Sequence, residues 1–131
     1  MALNNIFANP LHLGLGATVI TQPPFTGMEW YEAYTARHSI DGTEGRLVSA
    51  HKFSENWDMW EMHPHGDEAI ICISGSATLH QELADGEVTS VTLSDGDFVI
   101  NPRGIWHTAD VSSEVTMLFI TAGLGTEHRP R

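Results

Sequence analysis

Gly96-Asp97-Phe98-Val99-Ile100-Asn101-Pro102-Arg103-Gly104-Ile105-Trp106-His107 is the stretch on which the fold of this 131-residue chain turns. Gly96 relieves a turn ahead of a short apolar strand, and Pro102 ends that strand where no amide donor is needed. Gly104 then permits a sharp reversal that launches His107 toward an interior. Taken alone, the spacing also fits an ordinary glycine-rich turn followed by a hydrogen-bonded core histidine.

Upstream lies a second informative run, His63-Pro64-His65-Gly66-Asp67-Glu68, with Glu61 just before it. Imidazole and carboxylate are the side chains that hold a divalent first-row metal. Trp57, Met59, Glu61 and His63 share one parity of an extended segment, and Glu68, Ile70 and Cys72 share one parity of the next. Ligand types at a spacing of two face one side of a strand and can meet one ion. Gly66-Asp67 reads as a hairpin turn between the two strands.

Working outward, strands are expected at Leu47 to Phe53, Trp57 to His63, Ala69 to Ile73, Ala77 to Leu83, Val88 to Leu93, Asp97 to Ile100, Trp106 to Ala109 and Val115 to Thr121. Ser54-Glu55-Asn56, Gly66-Asp67, Asp85-Gly86 and Asp95-Gly96 separate them. Short strands at this interval predict an antiparallel sandwich or barrel. Residues 1–27, with Pro10, Pro23 and Pro24, read as an irregular arm carrying one strand. Met28, Trp30, Tyr31 and Tyr34 at mixed spacings of three and four predict a short helix within Gly27 to His38. After the last strand, Gly123 to Arg131 reads as a free polar end, with anchoring of an anion or closure over the barrel as the alternative.

The length fits one domain. Six Lys and Arg against 17 Asp and Glu give a formal net charge of −11, which repels phosphate backbones and anionic membrane surfaces and argues against nucleic acid as a partner. Cys72 is the only cysteine, so an intrachain disulfide is impossible, and its apolar neighbours predict a buried thiol. Met1 to Phe7 lack a positive region and a continuous apolar stretch, and no apolar run approaches the ~18 residues of a membrane helix, so a cytoplasmic protein is expected. Phosphate loops, dinucleotide fingerprints and serine-nucleophile elbows are absent.

The Gly96–His107 stretch resembles the second motif of the cupin superfamily: a glycine, five residues, Pro-x-Gly, two residues and a metal-binding histidine. Glu68, six residues and Gly75 resemble the end of the first motif. The resemblance implies an all-β jelly-roll barrel, a double-stranded β-helix, usually homodimeric, with one divalent metal ion (Fe, Mn, Zn or Ni) per chain. On this reading residues 1–131 form one domain: arm and short helix in 1–45, barrel in 46–122, polar tail in 123–131.

The first motif departs from its usual His-x-His, three or four residues, Glu. Counting from His63 and His65 leaves one residue too few before Glu68. With His63 as the second histidine, the spacer Pro64-His65-Gly66-Asp67 has the right length, and Glu61 stands in the first histidine's place. The favoured metal ligands implied by the resemblance are therefore Glu61, His63, Glu68 and His107, with His65 as the alternative to Glu61. The Glu61 set is harder and more anionic and favours manganese or iron. His51 is a further polar residue whose facing direction its strand leaves open. Trp57, Trp60 and Trp106 read as core side chains in preference to a ligand-stacking wall.

An open coordination position polarises a carbonyl or enolate, activates a water or binds dioxygen beside a chelating substrate. The function expected is thus a small metal-dependent enzyme, of oxygenase or isomerase type, acting on a small polar organic molecule. A cupin that binds a metabolite or metal for storage or sensing is the alternative.

Overall fold

The computed structural model describes residues 1–131. All eight expected strands form: β3 (Arg46–Phe53), β4 (Met59–Met62), β5 (Glu68–Gly75), β6 (Ala77–Glu82), β7 (Val88–Leu93), β8 (Phe98–Asn101), β9 (Trp106–Asp110) and β10 (Val115–Thr121). Three more flank them, β1 (Leu11–Gly14) and β2 (Thr18–Thr21) ahead and β11 (Glu127–Pro130) behind. The strands build two antiparallel sheets, one ordered β2-β1-β3-β10-β5-β8 and the other β11-β4-β9-β6-β7. This is the expected jelly-roll architecture.

Period-two alternation decides what lies between the sheets. In β5, Glu68, Ile70 and Cys72 are buried while the intervening Ala69 and Ile71 are only partly covered. Cross-strand register extends each inward position into a row: Ser49, Phe119, Ile70 and Val99 form one, and Thr121, Glu68 and Asn101 another. Ile70, Cys72, Leu79, Ala109, Val115 and Met117 are the heart of the core, and Trp57, Phe53 and Val99 pack against it.

Two sequence expectations need correction. Residues 63–68 do not close a hairpin, because β4 pairs with β9 and β11 whereas β5 pairs with β10 and β8. The segment crosses from one sheet to the other. Gly66 permits the crossing by close approach: a Cβ there would lie 2.4 Å from the Cβ of Ala122. The polar segment after β10 is likewise not a free end, since β11 pairs with β4 from Glu127↔Met62 to Pro130↔Met59 and satisfies what would otherwise be an open sheet edge.

The N-terminal arm is also more regular than its prolines suggest. β1 pairs with both β2 and β3, widening the first sheet. The expected helix forms as α1 (Met28–Arg37), with Trp30 buried and its indole donating to the carbonyl of Pro23 at 3.0 Å. Hairpin and helix are pinned together by His12, which is 1% exposed. Its ring nitrogens meet Tyr34 Oη at 2.6 Å and Asp41 Oδ2 at 2.5 Å, and its ring stacks on His38 at 3.7 Å.

Ile70 is fully buried at the centre of the core. Truncating it strips dispersion contacts from both sheets and leaves a cavity. Ile70→Ala is expected to lower the unfolding free energy by about 2–5 kcal/mol in urea titrations. Val88→Thr, on an exposed edge position, should change it by no more than about 0.5 kcal/mol. A loss at Ile70 as small as that at Val88 would contradict the placement of the core.

Candidate metal centre

The inter-sheet crossing delivers the residues of interest to one place. Glu61 on β4 stands directly opposite His107 on β9, so the second sheet supplies an acid and an imidazole side by side. Glu68 opens β5 in the first sheet, and His63 lies between, on the crossing itself. Backbone contacts lock the two motif loops together: the Gly104 amide donates to the His63 carbonyl at 2.9 Å, and the Arg103 amide to Asp67 Oδ1 at 2.8 Å. Gly104 has φ +78°, the left-handed conformation that a reversal ahead of His107 requires.

Glu68 bridges the two imidazoles. Its Oε2 lies 3.2 Å from His63 Nε2, and its Oε1 lies 3.1 Å from His107 Nε2. Each oxygen also accepts a neutral donor: Thr121 Oγ1 at 2.7 Å on Oε2 and Asn101 Nδ2 at 3.1 Å on Oε1. Asn101 is in turn held by Gln81 Nε2 at 2.8 Å. Glu61 Oε2 is 3.9 Å from His107 Nε2, and its other oxygen is 3.4 Å from His128 Nε2. One ligand atom each of Glu61, His63 and His107 falls within a mutual 4.8 Å. His63, Glu68 and His107 are buried, Glu61 is partly open, and His65 is exposed and stands outside the group.

Hydrogen-bond partners assign the histidine tautomers. His107 Nδ1 faces the Ile105 carbonyl at 3.3 Å, and a carbonyl only accepts, so that nitrogen carries the proton. His63 Nδ1 lies 2.8 Å from Thr126 Oγ1, whose single hydrogen goes to the Gly123 carbonyl at 2.8 Å. The hydroxyl therefore accepts from His63 Nδ1. Both Nε2 atoms are left as buried lone pairs with no hydrogen bond, aimed at carboxylate oxygens. Lone pair against anion at ~3 Å is repulsive unless a cation, a proton or a metal ion, sits between. The donor set thus fits a divalent metal, with each imidazole already oriented through its far nitrogen as ligating histidines are.

Without a metal, a proton can take that place between Glu68 and His63. Burial disfavours the ionised form of Glu68, yet the imidazoles of His107 and His63 outweigh it and hold the carboxyl well below the usual carboxylate range. For His63, burial opposes the charge while Glu68, then Glu61, raise its pKa above 6.5. Tyr31 on α1 is pushed up to about 12, first by burial and then by the charges of Glu61 and Glu68.

Four residues that touch the cluster escaped the sequence reading: Asn101, Thr121, Thr126 and His128. Asn101 lies inside the second motif, where its position just before Pro102 was the available signal. The other three come from distant segments and carry none. His51 points inward, its ring 5.4 Å from Phe25 and 6.0 Å from Phe119, in the aromatic packing instead of the His/Glu cluster. Trp57 packs near His107, with ring centroids 6.4 Å apart. Trp60 and Trp106 instead lie under the guanidinium of Arg129, at 5.3 and 4.6 Å.

Fold and cluster together define a jelly roll with a His/carboxylate group between its sheets, able to hold a metal ion. A cupin domain model matches residues 54–123, over half of the sequence, and the chain belongs to the cupin domain family. Solved structures similar to it include oxalate oxidase in complex with the substrate analogue glycolate, at TM-score 0.55 and 15% identity over 63% of this chain and 45% of that one. An oxalate decarboxylase aligns at TM-score 0.55 and 16% identity, covering 73% of this chain and 26% of its own. Peruvianin-I, a cysteine peptidase from Thevetia peruviana latex, aligns at TM-score 0.51 and 18% identity over 66% and 54%. This chain therefore spans less than half the length of either oxalate enzyme. No curated protein matches the sequence. Oxalate enzymes and a peptidase on one scaffold show that the fold leaves the chemistry open. No helix is long and apolar enough to cross a membrane.

A histidine whose pKa is raised on folding stabilises fully below its unfolded value, and the gain is lost as pH climbs through the folded value. With metal removed, the stability gap between the unaltered protein and His63→Gln is expected to narrow as pH rises from about 6 to about 8. Thermal melts of the two proteins across that range check it, and a widening gap would contradict the Glu68–His63 pairing.

Proposed function

We propose that the protein is a small metal-dependent enzyme, of oxygenase or isomerase type, whose centre is held by Glu61, His63, Glu68 and His107 and whose substrate is a small polar organic molecule. The observation that carries this reading is the pair of buried, unpartnered Nε2 atoms of His63 and His107 converging on carboxylates. Exposure of His65 favours Glu61 as the remaining ligand. Two imidazoles and two carboxylates make a hard, anionic set suited to manganese or iron.

When bound, such an ion would supply Lewis-acid or redox chemistry to a substrate oxygen. The chain's own residues do the rest. Asn101 and Thr121 fix both oxygens of Glu68, so that carboxylate is preorganised and does not swing on ligand binding. Trp57 Nε1 is a buried donor without an acceptor, near His107, which favours a ligand bearing a carbonyl or carboxylate oxygen. Tyr31, whose ring packs on Phe25 and Trp30, stays protonated throughout the ordinary pH range.

Purified protein is expected to carry a single divalent ion per chain, measured by elemental analysis, and His107→Ala to lose it while keeping the far-ultraviolet spectrum of the fold. Equal metal in that variant would sink the proposed centre. Small hydroxy and oxo acids should then give oxygen uptake or isomerised product. Thermal shifts without turnover would move the protein to the binding-cupin reading.

Homodimerisation belongs to the same proposal. The outward rows Ala50, Leu118, Ile71, Phe98 and Val48, Ile120, Ala69, Ile100 contain no charged side chain, and although Ala50 and Val48 are themselves buried, the rest of both rows is at least partly open. Phe98 and Ile100 are 63% and 46% exposed. On a chain of net charge −11, a charge-free plate is where a second copy approaches with least repulsion. Light scattering is expected to report a dimer that Ile71→Glu converts to monomer. A monomeric unaltered protein would refute it.

A further inference from the structure

Nothing in the two cupin motifs involves the segment beyond residue 122, yet that segment touches two of the four proposed ligands. Thr126, in the turn ahead of β11, is the sole hydrogen-bond partner of the His63 ring. His63 lies past the end of β4 and before Pro64, its carbonyl held by the Gly104 amide, and Thr126 is what holds the far side of its ring, opposite the edge that faces Glu68. His128, on β11, approaches Glu61 at 3.4 Å, closer than His107 does at 3.9 Å. The strand itself is pinned beyond its end. Arg131 donates to the carbonyls of Trp57 and Ala109 at 2.8 and 3.1 Å and to Asp110 Oδ1 at 2.6 Å, bracketing the start of the β4 segment and the end of β9.

We propose that this segment is a working wall of the metal centre, in which Thr126 is a positioning residue that selects the metal-facing nitrogen of His63 and His128 steadies Glu61, with Arg131 as the clamp. The inference rests on the metal-centre reading above. A valine in place of Thr126 keeps the shape but cannot accept from Nδ1, so the ring is free to flip its tautomer and turn a proton toward the site. Serine keeps the acceptor. Gly123 contributes by taking the hydroxyl hydrogen, which forces the threonine oxygen into the accepting role.

Titration with Co(II), followed in the visible spectrum and confirmed by Zn(II) competition, tests this without any assay of turnover. Thr126→Val is expected to weaken binding by about 10- to 100-fold, and Thr126→Ser to stay within about threefold of the unaltered protein. A proton–nitrogen correlation spectrum of the unaltered, Zn(II)-loaded protein should show His63 protonated at Nδ1 and ligating through Nε2. This readout does not depend on any variant folding. A valine variant that binds as tightly as the unaltered chain, or His63 protonated at Nε2, overturns the role of Thr126 while leaving the metal centre standing. Failure of the unaltered protein to bind either ion overturns the metal centre itself and this inference with it.

Discussion

A buried carboxylate facing two imidazoles is the constraint around which the protein is arranged. Glu68 is 3% exposed and sits between the two sheets, where an uncompensated charge would cost several kcal/mol. Four side chains from three directions relieve it: Asn101 and Thr121 along the same inward row of the first sheet, His107 from the second, and His63 from the crossing. Because β5 alternates from Glu68 to Cys72, the parity that buries Glu68 also buries Ile70 and Cys72. Site and core are therefore the same decision, and a register slip that exposed one would expose the other.

Most of the barrel was legible because turn chemistry and alternation are local. Eight strands were placed with no end displaced by more than two residues, and Gly96, Pro102 and Gly104 marked the approach to His107. Parity also singled out Glu61 and His63 as sharing a face, and they do meet. What stayed hidden was pairing over distance. Nothing about Gly66-Asp67 announces that the strands on either side belong to different sheets. Thr18 to Thr21 resembles any short polar-apolar stretch until β1 lies beside it, and Glu127 to Pro130 has neither apolar alternation nor a turn signal. Those strands exist because an edge was available to receive them.

The scarcity of basic residues gives the few present disproportionate work. Arg129 lies over Trp60 and Trp106 and pairs with Glu82, covering aromatic surface that the second sheet turns outward. Arg131 reaches across to Asp110, which His80 also contacts at 2.9 Å. Arg37 donates to Gln22 beside the stacked His12 and His38, joining the arm to the helix. An acidic chain thus uses its cations at seams between elements, where each neutralises locally and leaves the overall negative field intact.

The crossing at residues 63–68 has a bearing on assembly. Its two sheets contribute donors separated by some forty positions along the polypeptide, so neither half alone makes a pocket for an ion. Any partly folded form in which the sheets have not yet docked lacks this grouping of Glu61, His63, Glu68 and His107, so an ion held at the proposed centre would find its donors only after docking. Loading would then report completed docking.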